Sequence, residues 1–180
     1  MRVKVSPRPA TEEDLEQVAG MEKKLIHPPW ALEAFRAEID KKHSEFWVLT
    51  DDESDSKIFA YIVFAFPAEQ AHIQTFAVNP DYSRQGHGKH LLRFVVSYVM
   101  RNKGESIVLE VRKNNKAAVQ LHQDTGFIVI HTIKNFYPDG EDAYSMIYKV
   151  DHTKLTAESE FGSDEAEEGD GIVRRKTDLN

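Results

Sequence analysis

The 180-residue chain contains no cysteine. That excludes disulfides, thiolate metal sites and a cysteine nucleophile, and it is compatible with a cytosolic protein. No apolar run approaches 18 residues, so no membrane-spanning helix is expected. The opening Met1-Arg2-Val3-Lys4-Val5 lacks the apolar stretch and small-residue cleavage site of a secretory signal. Positive charge is in short supply. The 23 Lys and Arg face 30 Asp and Glu, a formal net charge of -7. Broad nucleic-acid binding is therefore not expected, because neutralising phosphates needs a clustered positive field. Eight histidines are present, yet no HExxH occurs, and no metal site is expected.

What remains is an ordinary globular composition, 41% hydrophobic and 29% charged, at a length that fits one domain with a proper core. The charge is uneven. From Asp151 onward nine acidic residues stand against four Lys or Arg, so this stretch carries -5 of the -7. Thr156 to Gly171 is rich in Glu, Ser, Asp and Gly and cannot bury enough apolar surface to offset the entropy of ordering. The expected organisation is one domain over residues 1–150 and an acidic, flexible extension over 151–180.

Within 1–150 the pattern is mixed. Val3 to Pro9 alternates like a strand, and Thr11-Glu12-Glu13-Asp14 supplies a helix start. Leu15, Val18, Met21 and Leu25 follow at helical spacing until His27-Pro28-Pro29-Trp30 breaks it. A second short helix is expected to end near Lys42. Phe46 to Leu49 and Ile58 to Phe66 read as hairpin strands around turn residues Asp51 to Lys57. His72 to Val78 is the next strand, and a helix from about Gly86 is expected to stop at Lys103-Gly104 with the glycine as cap. Ser106 to Arg112 is a strand, Asn115 caps a helix that stops at Thr125-Gly126, and Phe127 to Ile133 and Ala143 to Val150 close the sheet. Strands alternating with helices imply at least one parallel pair.

Between a strand and a helix lies Ser83-Arg84-Gln85-Gly86-His87-Gly88-Lys89. Two glycines two apart let the backbone turn tightly and approach a ligand without a Cβ in the way. The N–H groups of the helix start, with its dipole, then face an anion, and Arg84 and Lys89 add charge. The spacing is neither a Walker A loop nor a dinucleotide Gly-x-Gly-x-x-Gly, which points to a diphosphate carrier of another kind, the alternative being a glycine-rich helix start with no ligand.

This turn resembles that of the GNAT superfamily, Gln/Arg-x-x-Gly-x-Gly/Ala after the fourth strand. Gly86 and Gly88 match, while Ser83 stands where the signature has Gln or Arg. Val108-Leu109-Glu110-Val111-Arg112, then Asn115, Ala117-Ala118, Leu121 and Gly126-Phe127, is similar to the bacterial ribosomal-protein alanine N-acetyltransferases and to N-terminal acetyltransferase catalytic subunits. Tyr137-Pro138-Asp139-Gly140-Glu141-Asp142 resembles the late loop of the same families. The likeness is close from about residue 70 to 150, loose before that, and absent from the tail.

The resemblance implies an α/β (α+β) GNAT fold: a mixed, mostly antiparallel sheet of about six or seven strands, about four helices, and a splayed parallel pair at the cofactor site. It implies direct acetyl transfer from acetyl-CoA to a primary amine, with no metal. Glu110 is the expected base, because a strand carboxylate can be desolvated towards neutrality. His122 stands where the family carries a general-acid Tyr, so the acid is His122, Tyr137 or Tyr144. Phe76, Ala77 and Val78 would carry the oxyanion bulge and pair with the pantetheine arm. Arg84, Gln85, Gly86, His87, Gly88 and Lys89 would bind the diphosphate, and Ala118 and Leu121 would also contact the cofactor. Asn115 either binds pantetheine or caps its helix. His27, Trp30, Tyr137 and Glu141 would meet the acceptor, Glu141 either holding the amine cation or capping its turn. The leading expectation is acetylation of a protein N-terminus by a cytoplasmic monomer or homodimer, away from nucleic acid and membranes. A small-molecule amine or Lys side chain is the second acceptor class. A non-catalytic acyl-CoA-binding module is a third reading, against which the retained Glu110 argues.

Overall fold

The computed structural model describes residues 4–51 and 57–153. The expected acidic extension beyond Thr153, and most of the turn after Asp51, lie outside the described residues. Met1–Val150 make one compact unit. Its elements run β1 (Val5–Pro9), a 3-10 turn (Glu12–Asp14), α1 (Leu15–Leu25), α2 (Leu32–Ile39), β2 (Ser44–Asp51), β3 (Ile58–Ala65) and β4 (Gln70–Val78). After a second 3-10 turn (Pro80–Tyr82) come α3 (His87–Arg101), β5 (Ser106–Arg112), α4 (Lys116–Thr125), β6 (Ile128–Ile133) and β7 (Ala143–Lys149). The seven strands form one sheet in the order β1-β2-β3-β4-β5-β7-β6, and only β4 and β5 run parallel. Architecture and strand count are those expected of the GNAT fold.

Two hydrophobic cores explain the order. On one face Leu91, Leu92, Val95 and Val99 of α3 pack over Ile62, Ile73, Ile107 and Leu109. On the other, Leu15, Val18 and Met21 of α1 and Phe35 of α2 pack over Val48, Tyr61 and Val63. A strand covered on both faces needs apolar residues at nearly every position, and β3 is buried from Ile58 to Phe64.

Three expectations shift. The second helix stops at Ile39, three residues early, because the Glu38 carboxylate takes Lys41 Nζ at 2.7 Å and Ser44 Oγ at 2.5 Å, turning the chain into β2. Gly104 is not the left-handed cap of α3. Lys103 holds that conformation at φ 63°, and Gly104 is required because a Cβ there would lie 2.3 Å from Val99 and 2.8 Å from Phe66. The irregularity in β4 falls at Gln74, where Val63 pairs with Thr75 but Phe64 pairs with Ile73, and not at Phe76-Ala77-Val78. The extra residue turns Ile73 towards α3 and Thr75 towards α1, whereas unbroken pleating would put both on one face.

Candidate active site

The parallel ladder between β4 and β5 ends at Ile73 and Leu109. Beyond it β4 stays with β3 as far as Val78, and β5 stays with β7 as far as Arg112. The two strands part, leaving a V-shaped gap in the middle of the sheet. Phe76, Ala77 and Val78 line one side, and Glu110 to Arg112 the other.

Below the gap, on the α3 side, the glycine turn enters the helix. Gly86 is left-handed at φ 87° and Arg84 also has positive φ, 60°. A Cβ on Gly88 would lie 3.0 Å from both Leu121 of α4 and Val78 of β4. The second glycine therefore brings α3, α4 and the end of β4 together. The first N–H groups of α3 have no acceptor inside their own helix, and Arg84 and Lys89 stand on either side of its start in the sequence. His87 behaves differently from its neighbours. Its ring is buried and packs against Phe59 at 4.8 Å with a tilt of 43°, so its side chain is turned into the core. Burial and then the neighbouring His90 lower its pKa. Asn115 caps α4, its Oδ1 accepting from Ala118 N at 3.1 Å.

His122 lies on this same α3 side. It is 5% exposed, with Phe76 at 5.9 Å and Phe127 at 5.6 Å, and its Nδ1 has no hydrogen-bond partner. Desolvation pushes its pKa down to about 4, so the ring is neutral at pH 7.

Glu110 points the other way. Leu109 and Val111 belong to the α3-side core, so the residue between them faces the α1 and α2 side. Its Oε2 lies 2.7 Å from Nε2 of His72, a residue given no role in the sequence reading. That hydrogen bond raises the His72 pKa against the opposing effect of burial. No local pattern links the two residues. They meet because the parallel register sets His72 beside Val108, two residues before Glu110.

Arg112, next on the same face, gathers the loops around the gap. Its Nη1 donates to Glu141 at 2.6 Å and Asp139 at 2.8 Å, and its Nη2 to the His27 carbonyl at 2.6 Å. The guanidinium also covers the Tyr137 ring at 3.9 Å. Glu141 further accepts from Asn114 N at 3.0 Å. Of the four residues expected at the acceptor, His27, Tyr137 and Glu141 are thus joined through one side chain. Trp30 instead packs on Phe35 at 5.4 Å, and its N–H is held by Glu22 at 3.0 Å. Burial, first of all, raises the Tyr137 pKa, so its phenol stays protonated. Among the described residues no three His, Asp or Glu side chains converge as metal ligands, and no helix is long and apolar enough to cross a membrane.

A parallel pair that splays beside a glycine turn at a helix start defines a class. The acetyltransferase (GNAT) family model matches residues 12–127, so the chain belongs to that family and is an N-acetyltransferase. It is similar to the ribosomal protein bS18-alanine N-acetyltransferase of Escherichia coli strain K12, at 29% identity over 140 residues, covering 76% of this chain and 92% of that protein. The N-alpha-acetyltransferase RimI of Mycobacterium tuberculosis is 28% identical over 143 residues, covering 76% and 87%. The crystal structure of the E. coli ribosomal-protein-S18-alanine N-acetyltransferase superposes with a TM-score of 0.73 at 27% identity, over 82% of this chain and 94% of that one.

Proposed function

We propose that this chain, in the cytoplasm, transfers the acetyl group of acetyl-CoA to the α-amine of a protein N-terminus. The observation that carries the reading is the Glu110 carboxylate, hydrogen-bonded to His72, at the mouth of the gap between the two tethered loops.

The residues fit the co-substrate. Gly86 supplies a left-handed turn, Gly88 packs closely against Leu121 and Val78, and Arg84 and Lys89 flank the helix start. Residues 84–89 would hold the diphosphate. The edge of β4 from Phe76 to Val78, released from β5, would pair with the pantetheine arm beside Ala118 and Leu121. Acetyl-CoA, when bound, supplies the activated thioester.

The remaining chemistry belongs to the chain. Glu110 takes the proton that the amine gives up, and half-exposed His72 passes it to solvent. An α-amine loses its proton near pH 8 and a Lys amine near 10.4, so this modest base suits the former. The free N–H groups of β4 face the carbonyl oxygen as charge develops there. His122 donates a hydrogen bond to the departing sulfur as a neutral ring. Its depressed pKa denies it a stored proton at neutral pH, so as the new N–C bond forms and the C–S bond breaks coenzyme A leaves as the thiolate and takes its proton from water. Tyr137, beside Arg112, serves acceptor contact.

The deciding experiment is mass-shift analysis with acetyl-CoA and short peptides starting with Ala, Ser, Met or Gly, alongside an N-blocked Lys peptide. One or more free N-termini should gain about 42 Da, an acetyl group in place of a hydrogen. Acetylation of the blocked Lys peptide alone would overturn the assignment.

A further inference from the structure

Glu22 is a charged residue with no exposure at all, on the inner face of α1. Its carboxylate joins three separate elements. One oxygen, Oε1, accepts from Trp30 N at 3.0 Å, on the loop that leads from α1 to α2. The other, Oε2, accepts from Thr75 Oγ1 of β4 at 2.9 Å and from the phenol of Tyr61 on β3. The Tyr61 pKa is raised, first by burial and then by the charge of Glu22, so its proton stays available for that bond. Tyr61 also meets Phe35 of α2 edge-on at 5.7 Å.

A buried carboxylate is costly unless its oxygens are satisfied, and a same-sized apolar residue would fill this core without that demand. The position of its partners gives the carboxylate a use. Thr75 reaches Glu22 only because the extra residue at Gln74 turns it to the α1 side. The same irregularity lies next to the point where β5 departs. Trp30 lies near the end of the 26–31 segment, whose other anchor is the bond from Arg112 to His27.

We infer that Glu22 is a positioning residue that locks the β4 bulge and the 26–31 loop into one arrangement, setting the acceptor side of the gap. The inference rests on the reading of that loop as part of the acceptor site. It deepens that reading by naming what holds the loop to the reacting strand.

The test uses the full chain in a Trp47→Phe background, which leaves Trp30 as the sole tryptophan and its emission as a report on the loop. Glu22→Leu keeps the volume and removes the acceptors. Glu22→Gln keeps an oxygen for Trp30 N, and both hydroxyls can rotate to accept from its amide. For Glu22→Leu we expect red-shifted Trp30 emission and a KM for the peptide raised tenfold or more, with the KM for acetyl-CoA within twofold of the parent. Glu22→Gln should restore both signals to within threefold. Thr75→Val, which frees only the bulge, should lower kcat about tenfold and leave the peptide KM alone. This milder variant carries the test if Glu22→Leu fails to fold. Unchanged emission in folded Glu22→Leu, or equal rises in both KM values, would overturn the inference. So would Thr75→Val kinetics matching the parent. A shifted emission with unchanged peptide KM would instead remove the loop from the acceptor site. Failure of the parent to acetylate any free N-terminus would sink the acceptor reading by itself.

Discussion

Replacing Arg112 with Ala removes one side chain from four partners, and its cost can be worked contact by contact. Glu141, 21% exposed, keeps only the Asn114 N–H when the guanidinium leaves. Leaving a partly buried carboxylate half-satisfied costs about 1–2 kcal/mol. The His27 carbonyl loses a 2.6 Å donor, worth about 1 kcal/mol where water does not replace it. The ring contact with Tyr137 adds about 0.5–1 kcal/mol. The exposed Asp139 pair adds nothing to the count. The total is roughly 3 kcal/mol, which lowers Tm by about 6–12 °C in a chain of this size. If about half of it is spent ordering the two loops, the KM for the peptide rises about tenfold. The acetyl-CoA side lies across the sheet, so that KM should stay within about twofold. Arg112→Lys keeps the charge without the planar fork and should fall between the two. Steady-state kinetics with each substrate varied in turn, plus thermal melts, read all of this. A folded Arg112→Ala protein with parental peptide KM would refute the claim that Arg112 ties the loops for the acceptor.

Glu110→Gln should lower kcat by about 10²–10³ with the KM for acetyl-CoA unchanged. The parent rate should rise with pH through a pKa above the ordinary histidine value of about 6.5, because Glu110 raises His72, and residual activity in Glu110→Gln should titrate lower. A parent limb at or below that value would remove His72 from the proton path. Gly88→Ala puts a methyl 3.0 Å from Val78 and Leu121 and should cost about 1–3 kcal/mol while raising the KM for acetyl-CoA at least fivefold; an unchanged KM would mean the turn does not bind it. Asp14 takes both Arg8 nitrogens at 2.7 and 2.8 Å and Thr11 N at 2.7 Å. Burial opposes its ionisation, but Arg8 and Thr11 outweigh that and hold the carboxyl below 3.8. A depressed pKa contributes stability above pH 3.8 that is lost as pH falls. Asp14→Asn should therefore be less stable at pH 7 by about 1–2 kcal/mol, and the gap should narrow as pH falls below 3.8 and close only below the depressed folded pKa. A gap independent of pH would contradict the sign.

What could be read along the chain was whatever depends on near neighbours. The glycine turn, the apolar face of α3, the cap at Asn115 and the covered strand β3 all announce themselves within a dozen residues. The pairing of His72 with Glu110 could not, because it needs the register of two strands 38 residues apart. The displaced bulge belongs to a strand pairing and carries no local mark. Glu22 is the instructive case. Beside Lys23 and Lys24 it reads as a solvated position, yet 15, 18 and 22 lie on one helical stripe. A charge on an apolar stripe was the available signal. Gly104 shows the reverse error, since its place after a helix suggested a cap when the constraint was close packing against Val99 and Phe66.

The distribution of groups between the two faces of the sheet gives the mechanism its direction. His122, Phe76 and the glycine turn lie on the α3 side, and His122 itself is buried enough to keep its imidazole neutral. Glu110, His72 and Arg112 lie on the α1 and α2 side, where His72 is nearly half-exposed and can exchange protons with water. A thioester brought in from the first face and an amine from the second would meet only where β4 and β5 part. On the proposed roles, proton removal would fall on the wet side and sulfur departure on the dry side, so the base would not be shielded from solvent by the leaving group. In such an arrangement a neutral hydrogen-bond donor is a coherent occupant of position 122, because a charged one would bear the full desolvation cost before reaction begins.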